Sequence, residues 1–352
     1  MSGLKRIQDV ADRYAELATT LQNEGFDAEA DYGFKAAAMI DLADESLQAC
    51  WGGPFNGQKA RQDLIQDIIK IWKPEMIVET GTFRGITTEW LAQNTSTPII
   101  TCEKNKRFFF QSEQKLSKYS NVQIFLQDSR DLLRKIGKSD VSEKRVIFYL
   151  DAHWEFDLPL REEILIIITH FKFPCIIIDD FKVPFDAGYF YDDYGPGKVL
   201  SLELLEGVIG PNTLIAFPAT PSELETGARR GTVILIPNEM ISDFRQNNLL
   251  RLADYRDWRL MEIEKNFQGT VESLQGTVES LSRQLIESDA DRNDRLQIIE
   301  DLSHRLAESD ADRNDRLQII EDLSHQLSNY NLLSRVIEKV YVRIKTNRKG
   351  LK

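Results

Sequence analysis

Hydrophobic residues recur along this chain in three rhythms, and each predicts a different architecture. Over residues 1–60, Ile7, Val10, Tyr14, Leu17 and Leu21 fall three and four apart, the spacing of one helix face. This predicts an N-terminal helical cap packed on the main body. From residue 61 the rhythm changes to short continuous apolar runs at 76–80 (MIVET), 98–103 (PIITCE), 122–127 (VQIFLQ), 146–151 (VIFYLD) and 175–179 (CIIID). Amphipathic stretches such as ITTEWLAQN and KRFFFQSEQKLSKY separate them. Apolar strands alternating with helices predict a parallel sheet covered on both faces. A helix at KVLSLELLEGVI (198–209) leads to two further runs, TLIAFP (213–218) and TVILIP (232–237), with a link short enough for an antiparallel pair. The α/β domain so defined covers 61–240, and a connecting helix is expected over 241–265.

The third rhythm begins near residue 266. TVESLQGTVESL repeats every seven residues, and ESDADRNDRLQIIEDLSH occurs twice, from Glu287 and from Glu308, an offset of 21 residues or three heptads. Val271, Leu274, Val278, Leu281, Leu285, Ile299, Leu302, Leu306, Ile320, Leu323 and Leu327 share one a/d register. Ser288, Arg292 and Arg295, and their counterparts Ser309, Arg313 and Arg316, interrupt that seam. Gly269 and Gly276 each cost a helix about 1 kcal/mol. A polar-interrupted coiled coil is expected over 266–330, and with it a homo-oligomer. Residues 331–352 form a basic amphipathic tail, with Lys or Arg at 335, 339, 343, 345, 348, 349 and 352 against Glu338. A solvated continuation of the helices and a peripheral contact with an anionic surface are both open readings of it.

Charge and cysteine content narrow the function classes. A net charge of −12 argues against general nucleic-acid binding, which needs basic surface. Cys50, Cys102 and Cys175 are too scattered for a disulfide framework or a zinc spacing. The opening MSGLKRIQDVADRYAEL lacks the order of a secretory leader, and ILIIIT falls far short of the ~20 residues that span a bilayer. A cytoplasmic setting is expected.

The chemistry sits at the ends of the strands. The first run enters ETGTFRG, where Gly81 and Gly85 permit close approach of a ligand to the backbone beside Thr82, ahead of a helix N-terminus. The loop is neither G-x-G-x-x-G nor a P-loop, which sets an NAD-dependent oxidoreductase aside. Glu79 before the first glycine suits a cationic amino group better than a pyrophosphate. The second run ends on Glu103, where an acid accepts from ribose hydroxyls in nucleotide-binding α/β folds. The third ends near Asp128 and Ser129, within reach of an adenine edge. Taken singly, each of these is a solvated strand end or an ordinary βα turn; three in succession point to a site. The fourth run ends on Asp151 and the fifth on Asp179 and Asp180, and carboxylates there need solvent, a partner cation or a metal.

Over residues 60–240 these features resemble the class I S-adenosylmethionine-dependent methyltransferases: ETGTFRG, the acid after run two, QDS after run three, and the count of seven strands. Within that class, YLDAHW and IIIDDF resemble the metal-dependent O-methyltransferases of the macrocin and catechol types, near the cephalosporin-hydroxylase-like group. The resemblance implies a Rossmann-like seven-stranded sheet, mostly parallel with an antiparallel last strand. It also implies S-adenosylmethionine over Glu79, Gly81, Thr82, Gly85, Glu103, Asp128 and Ser129, and Mg²⁺ or another divalent cation on Asp151, Asp179 and Asp180. The implied reaction is methylation of a small-molecule or sugar hydroxyl. His153 is the candidate base beside Asp151, and a buried structural histidine is the equal alternative. The lysine base of the catechol type has no counterpart, because Ala152 and Glu155 change the spacing. Trp154 is a candidate pocket wall. The loop 181–198, with Tyr189, Tyr191, Tyr194, Asp192 and Asp193, is a candidate acceptor lid. The competing reading is a non-catalytic scaffold of the same fold, assembled through its coiled coil.

Overall fold

β1 (Met76–Thr80) lies inside an eight-stranded sheet ordered β3-β2-β1-β4-β5-β7-β6-β8. Its partners are β2 (Ile99–Glu103), β3 (Val122–Leu126), β4 (Arg145–Leu150), β5 (Phe173–Ile178), β6 (Thr213–Pro218), β7 (Val233–Pro237) and β8 (Leu250–Ala253). The computed structural model describes residues 2–153, 157–210, 212–240, 244, 248–253, 263, 267–280 and 292–347. The first five strands are parallel, β7 runs antiparallel to β5 and β6, and β8 runs antiparallel to β6. This is the mostly parallel, Rossmann-like sheet that the sequence predicts, with one strand more.

Burial of both sheet faces explains why the strands read as unbroken apolar runs. On one face α3 (Lys59–Trp72) buries Leu64, Ile65, Ile68 and Trp72 in a cluster with Ile77, Ile147, Tyr149 and Ile177. On the other, Phe148 meets Phe171, just past α7 (Leu160–His170), edge to face at 4.8 Å. Helices α4 (Ile86–Asn94), α5 (Lys106–Leu116) and α6 (Ser129–Ile136) connect successive strands.

Three expectations change. The stretch 241–265 contains β8 rather than a helix alone: Leu250 is buried in the core cluster with Phe244, and its strand pairs with the otherwise open edge of β6. Residues 198–209 form only a 3₁₀ turn at Leu202–Leu205, with Leu200, Leu202, Leu205, Val208 and Ile209 buried and Gly207 at φ +69°. At the N-terminus, α1 (Ser2–Asn23) packs on α2 (Asp27–Ala43) through small residues, Ala18 against Gly33 and Ala30. The face bearing Ile7, Val10, Tyr14 and Leu17 is therefore exposed, because close approach selects the alanines rather than the larger stripe. Buried Asp41 of α2 ties this pair to Arg107 at the start of α5 by accepting from its Nε and Nη2 at 2.7 and 2.8 Å.

The chain divides into two compact units, 1–255 and 256–352. In the second, helices cover 267–280 and Arg292–Asn347. Leu274, Ile299, Leu306 and Leu323 of the heptad register stand exposed there, while Leu281, Leu285 and Ser288 lie outside the described residues. No described helix is long and apolar enough to cross a membrane.

If β8 completes the core, Leu250→Ala lowers the unfolding free energy by about 2–5 kcal/mol. Urea denaturation of the variant checks this, and a change within 0.5 kcal/mol, about what a surface substitution gives, counts against it.

Candidate active site

The β1–α4 loop owes its shape to two glycines. Gly85, at φ +70°, caps α4, and Gly81, at φ +81°, lies where a Cβ would overlap the Asp151 carbonyl oxygen. The glycine thus lets the loop pass the exit of β4. Glu79 is buried and accepts from the hydroxyls of Thr88 and Thr101, the latter at 2.7 Å. Burial pushes its carboxyl up to about 7, against those two hydroxyls. Thr82 spends its hydroxyl on Thr101, at 2.6 Å. Glu103 accepts from the Phe83 and Asn105 amides at 2.9 and 2.8 Å, and burial still raises it above the ordinary carboxyl range.

A small, open cleft lies over this loop. One wall is the segment before α3, with Cys50, Trp51 and Asn56; the other is Glu79, Gly81, Phe83 and Arg84, and Asp151 and Asp179 lie at its edge. Trp51 (φ +58°), Asn56 (φ +59°), Phe83 (φ +48°) and Asp180 (φ +53°) are all in the left-handed region, which non-glycine residues seldom adopt. Such strain gathers at sites whose geometry is over-determined by the surroundings.

The acidic edge follows from register. Leu150 of β4 pairs with Ile178 of β5, so Asp151 and Asp179 leave the sheet side by side. Asp179 is fully engaged: Arg61 ion-pairs with it, the Tyr149 hydroxyl donates at 2.6 Å, and Asn56 Nδ2 and the Asp180 amide donate at 3.3 and 2.8 Å. Arg230, in the link between β6 and β7, pairs with Asp180 at 2.6 Å and with Asp192. Asp180 is raised to about 7 by burial, then by Asp179, with Arg230 opposing. Burial, then Asp179, Asp180 and Glu79, holds Asp151 well above its ordinary value.

One ligand atom each of Asp151, His153 and Asp180 lies within 4.8 Å of the others. His153 is buried, its Nε2 has no hydrogen-bond partner, and this atom stands 3.9 Å from Asp151 Oδ1 and 3.7 Å from Asp192 Oδ2. Burial keeps the imidazole below its ordinary pKa. Of the expected metal set the structure brings Asp151 and Asp180 together, adds His153, and directs Asp179 to Arg61.

Other expected contacts are committed elsewhere. Asp128 caps α6 and pairs with Arg130, which holds it below the ordinary carboxylate range. Ser129 bonds Glu163. Arg130 and Lys104 both reach Asp157, strapping the segment after β4 across the ends of β2 and β3. In the loop 181–198, Tyr189 is buried with its hydroxyl on the Thr220 carbonyl, and Tyr194 bonds Asp192. Trp154 and Glu155 lie outside the described residues.

Trp51, Asn56, Arg61 and Arg230 carry no motif in the sequence. Arg61 did leave a signal, since it shares the buried face of α3 with Leu64, Ile65, Ile68 and Trp72. A charge on an apolar stripe needs a buried partner.

Among solved structures the chain is similar to an O-methyltransferase from Bacillus cereus in complex with S-adenosylhomocysteine (15% identity, 57% of this chain and 90% of that one, TM-score 0.40). It is also similar to an O-methyltransferase from Streptomyces achromogenes involved in tomaymycin synthesis, in complex with S-adenosylmethionine (14%, 50% and 79%, TM-score 0.37). No family model matches the chain, and no curated protein matches it.

Glu163, in the first turn of α7, gives the site's support a pH signature. Burial raises it to about 7 and leaves its Oε1 unpartnered. Its folded pKa exceeds the unfolded one, so its favourable contribution is complete below about 4.5 and is lost as pH rises toward 7. Stability should fall by up to about 3 kcal/mol across this window on its account, and Glu163→Gln should flatten the fall. Urea midpoints at pH 5 and pH 8 test it; parallel profiles for both proteins would contradict it.

Proposed function

We infer that the protein is an S-adenosylmethionine-dependent O-methyltransferase acting on a hydroxyl of a small molecule or sugar, assisted by a divalent cation. The observation that carries this reading is the joining of the glycine loop to the acidic edge in one cleft, with Gly81 packed on the carbonyl of Asp151. Bound over the loop, S-adenosylmethionine supplies an electrophilic methyl group on a sulfonium. Glu79 and the backbone at Gly81, Thr82 and Gly85 face its amino-acid end, and Glu103 takes its ribose. Asp128 caps α6 with both oxygens on Arg130, so the adenine end is walled by backbone and by the Lys104–Asp157–Arg130 strap.

Asp151, His153 and Asp180 form the edge that would hold a divalent cation, and such a cation would lower the pKa of the acceptor hydroxyl. The acceptor O–H gives its proton to the carboxylates of this edge. Its oxygen pair then forms the O–C bond as the C–S bond breaks toward sulfur, leaving S-adenosylhomocysteine. Positioning in the cleft does most of the work in such an in-line displacement. A scaffold without turnover gives no reason for left-handed Trp51, Asn56 and Phe83 around a cleft, each of which costs stability.

Calorimetry with S-adenosylhomocysteine tests the cofactor reading: Glu103→Ala should weaken binding by about 1–3 kcal/mol. Equal affinity in both proteins would remove Glu103 from the site, and no binding by the native protein would remove the function.

The heptad register supports a second element of the reading, a cytoplasmic homo-oligomer held by residues 266–330, with the basic tail at 331–352 against an anionic surface. The side chains of most of that tail, and residues 348–352 altogether, lie outside the described set. Light scattering should give a multiple of the 40.5 kDa chain for the full protein and a smaller multiple for residues 1–262. Vesicles containing phosphatidylserine should pellet the full chain at low salt, at about 1 kcal/mol per basic residue. The same number of chains per particle for both forms refutes the coiled coil, and an empty pellet refutes the surface contact.

A further inference from the structure

We propose that the edge of Asp151, His153 and Asp180 binds a divalent ion of the Mn²⁺-to-Zn²⁺ kind in preference to Mg²⁺, with His153 Nε2 as a direct ligand and Asp179 as a positioning residue. It rests on the methyltransferase reading for what the ion does, and on side-chain geometry for where it binds.

Three observations converge. A buried imidazole nitrogen with no partner is costly unless something fills its lone pair or takes its proton, and His153 Nε2 is such an atom, aimed between two carboxylates. Its separations of 3.9 and 3.7 Å from Asp151 Oδ1 and Asp192 Oδ2 are too long for hydrogen bonds. The 3.9 Å from Asp151 Oδ1, the proposed co-ligand, suits two atoms sharing one ion at ~2.0–2.2 Å each, which stand up to about 4 Å apart. Asp151 also lacks an arginine or lysine ion-pair partner among the described residues, whereas Asp179 has Arg61 and Asp180 has Arg230. The carboxylate most crowded by like charges is the one that the protein does not neutralise itself.

The donor set then decides the ion. Mg²⁺ favours an all-oxygen shell and keeps its waters, while imidazole nitrogen favours the later first-row ions. Two carboxylates and one imidazole form a mixed N/O set. Asp179 contributes by holding others: it accepts from the Asp180 amide and is fixed by Arg61 and Tyr149, so Asp180 keeps its left-handed backbone and faces the edge. His153 accordingly serves as a ligand, and the role of proton acceptor expected for it from the sequence passes to the carboxylates.

Mn²⁺ added to the full chain tests this by electron paramagnetic resonance and calorimetry. The expected result is one ion per chain, hyperfine coupling to a single imidazole nitrogen, and displacement by Mg²⁺ only at about tenfold or greater excess. His153→Gln should abolish the nitrogen coupling, and Asp180→Asn should weaken Mn²⁺ by about tenfold or more while keeping it. Mn²⁺ bound without nitrogen coupling, Mg²⁺ bound as tightly as Mn²⁺, or no binding of Mn²⁺ by the folded native chain would each overturn the proposal. S-adenosylhomocysteine titrated in parallel separates the two readings: an intact Mn²⁺–imidazole signal without nucleoside binding sustains this proposal and refutes the methyltransferase.

Discussion

Parallel pairing of β4 with β5 places two carboxylates side by side at the open edge of the sheet, and much of the surrounding structure answers that crowding. Leu150 and Ile178 are in register, so Asp151 and Asp179 emerge as neighbours and Asp180 follows at once. Like charges this close in a poorly solvated place cannot all stay ionised without compensation. The chain brings Arg61 from α3 to Asp179 and Arg230 from the β6–β7 link to Asp180 and Asp192. Both side chains of the Arg61–Asp179 pair are almost wholly buried, and removing either would strand a charge at a cost of about 3–5 kcal/mol. Among the described residues Asp151 has no arginine or lysine ion-pair partner, and its contact is His153, whose pKa burial lowers.

The same edge is joined mechanically to the glycine loop. Gly81 packs directly on the backbone at Asp151, and the Asp151 amide donates to the Thr80 carbonyl at 3.1 Å. A shift in either segment displaces the other. Arg84 of the loop stacks on Phe83 and Phe108 and reaches Asp41, the residue that also binds Arg107, so α2 braces the loop from outside. Glycine loop, acidic edge and N-terminal helices are thereby joined by direct contacts, which the proposed displacement reaction, governed by positioning, would need.

How much of this could be read from the sequence depended on whether a signal was periodic or relational. Strands β1 to β7 were legible because burial on both faces forces unbroken apolar runs, and Asp151, Asp179 and Asp180 were legible because acids end two of those runs. β8 was not: its four residues are too short to show a period, and their partner, the edge of β6, exists only after folding. The segment at 198–209 looked helical because its leucines fall at mixed spacings, yet Gly207 and the path over the core break it. Individual acids misled where local bonding competes with ligand contact. Asp128 satisfies the first turn of α6, and Asp179 satisfies Arg61, which lies 118 residues away in sequence. Only a contact map distinguishes a carboxylate that faces a ligand from one that faces an arginine.

The energetic asymmetry at the edge favours chemistry over architecture. A fold selected for stability alone would replace Asp151 with a neutral residue, since its carboxyl is held well above its ordinary range by burial and by three neighbouring acids. Retaining it costs free energy at neutral pH, and so do the left-handed backbones of Asn56, Phe83 and Asp180. On the proposed reading, a bound cation would relieve the first cost by adding to the charge that Arg61 and Arg230 supply. The left-handed backbones set the positions from which Asp180 meets Arg230 and Phe83 offers its amide to Glu103. The edge is thus an arrangement that costs the protein stability by itself, and the proposed cation would offset that cost.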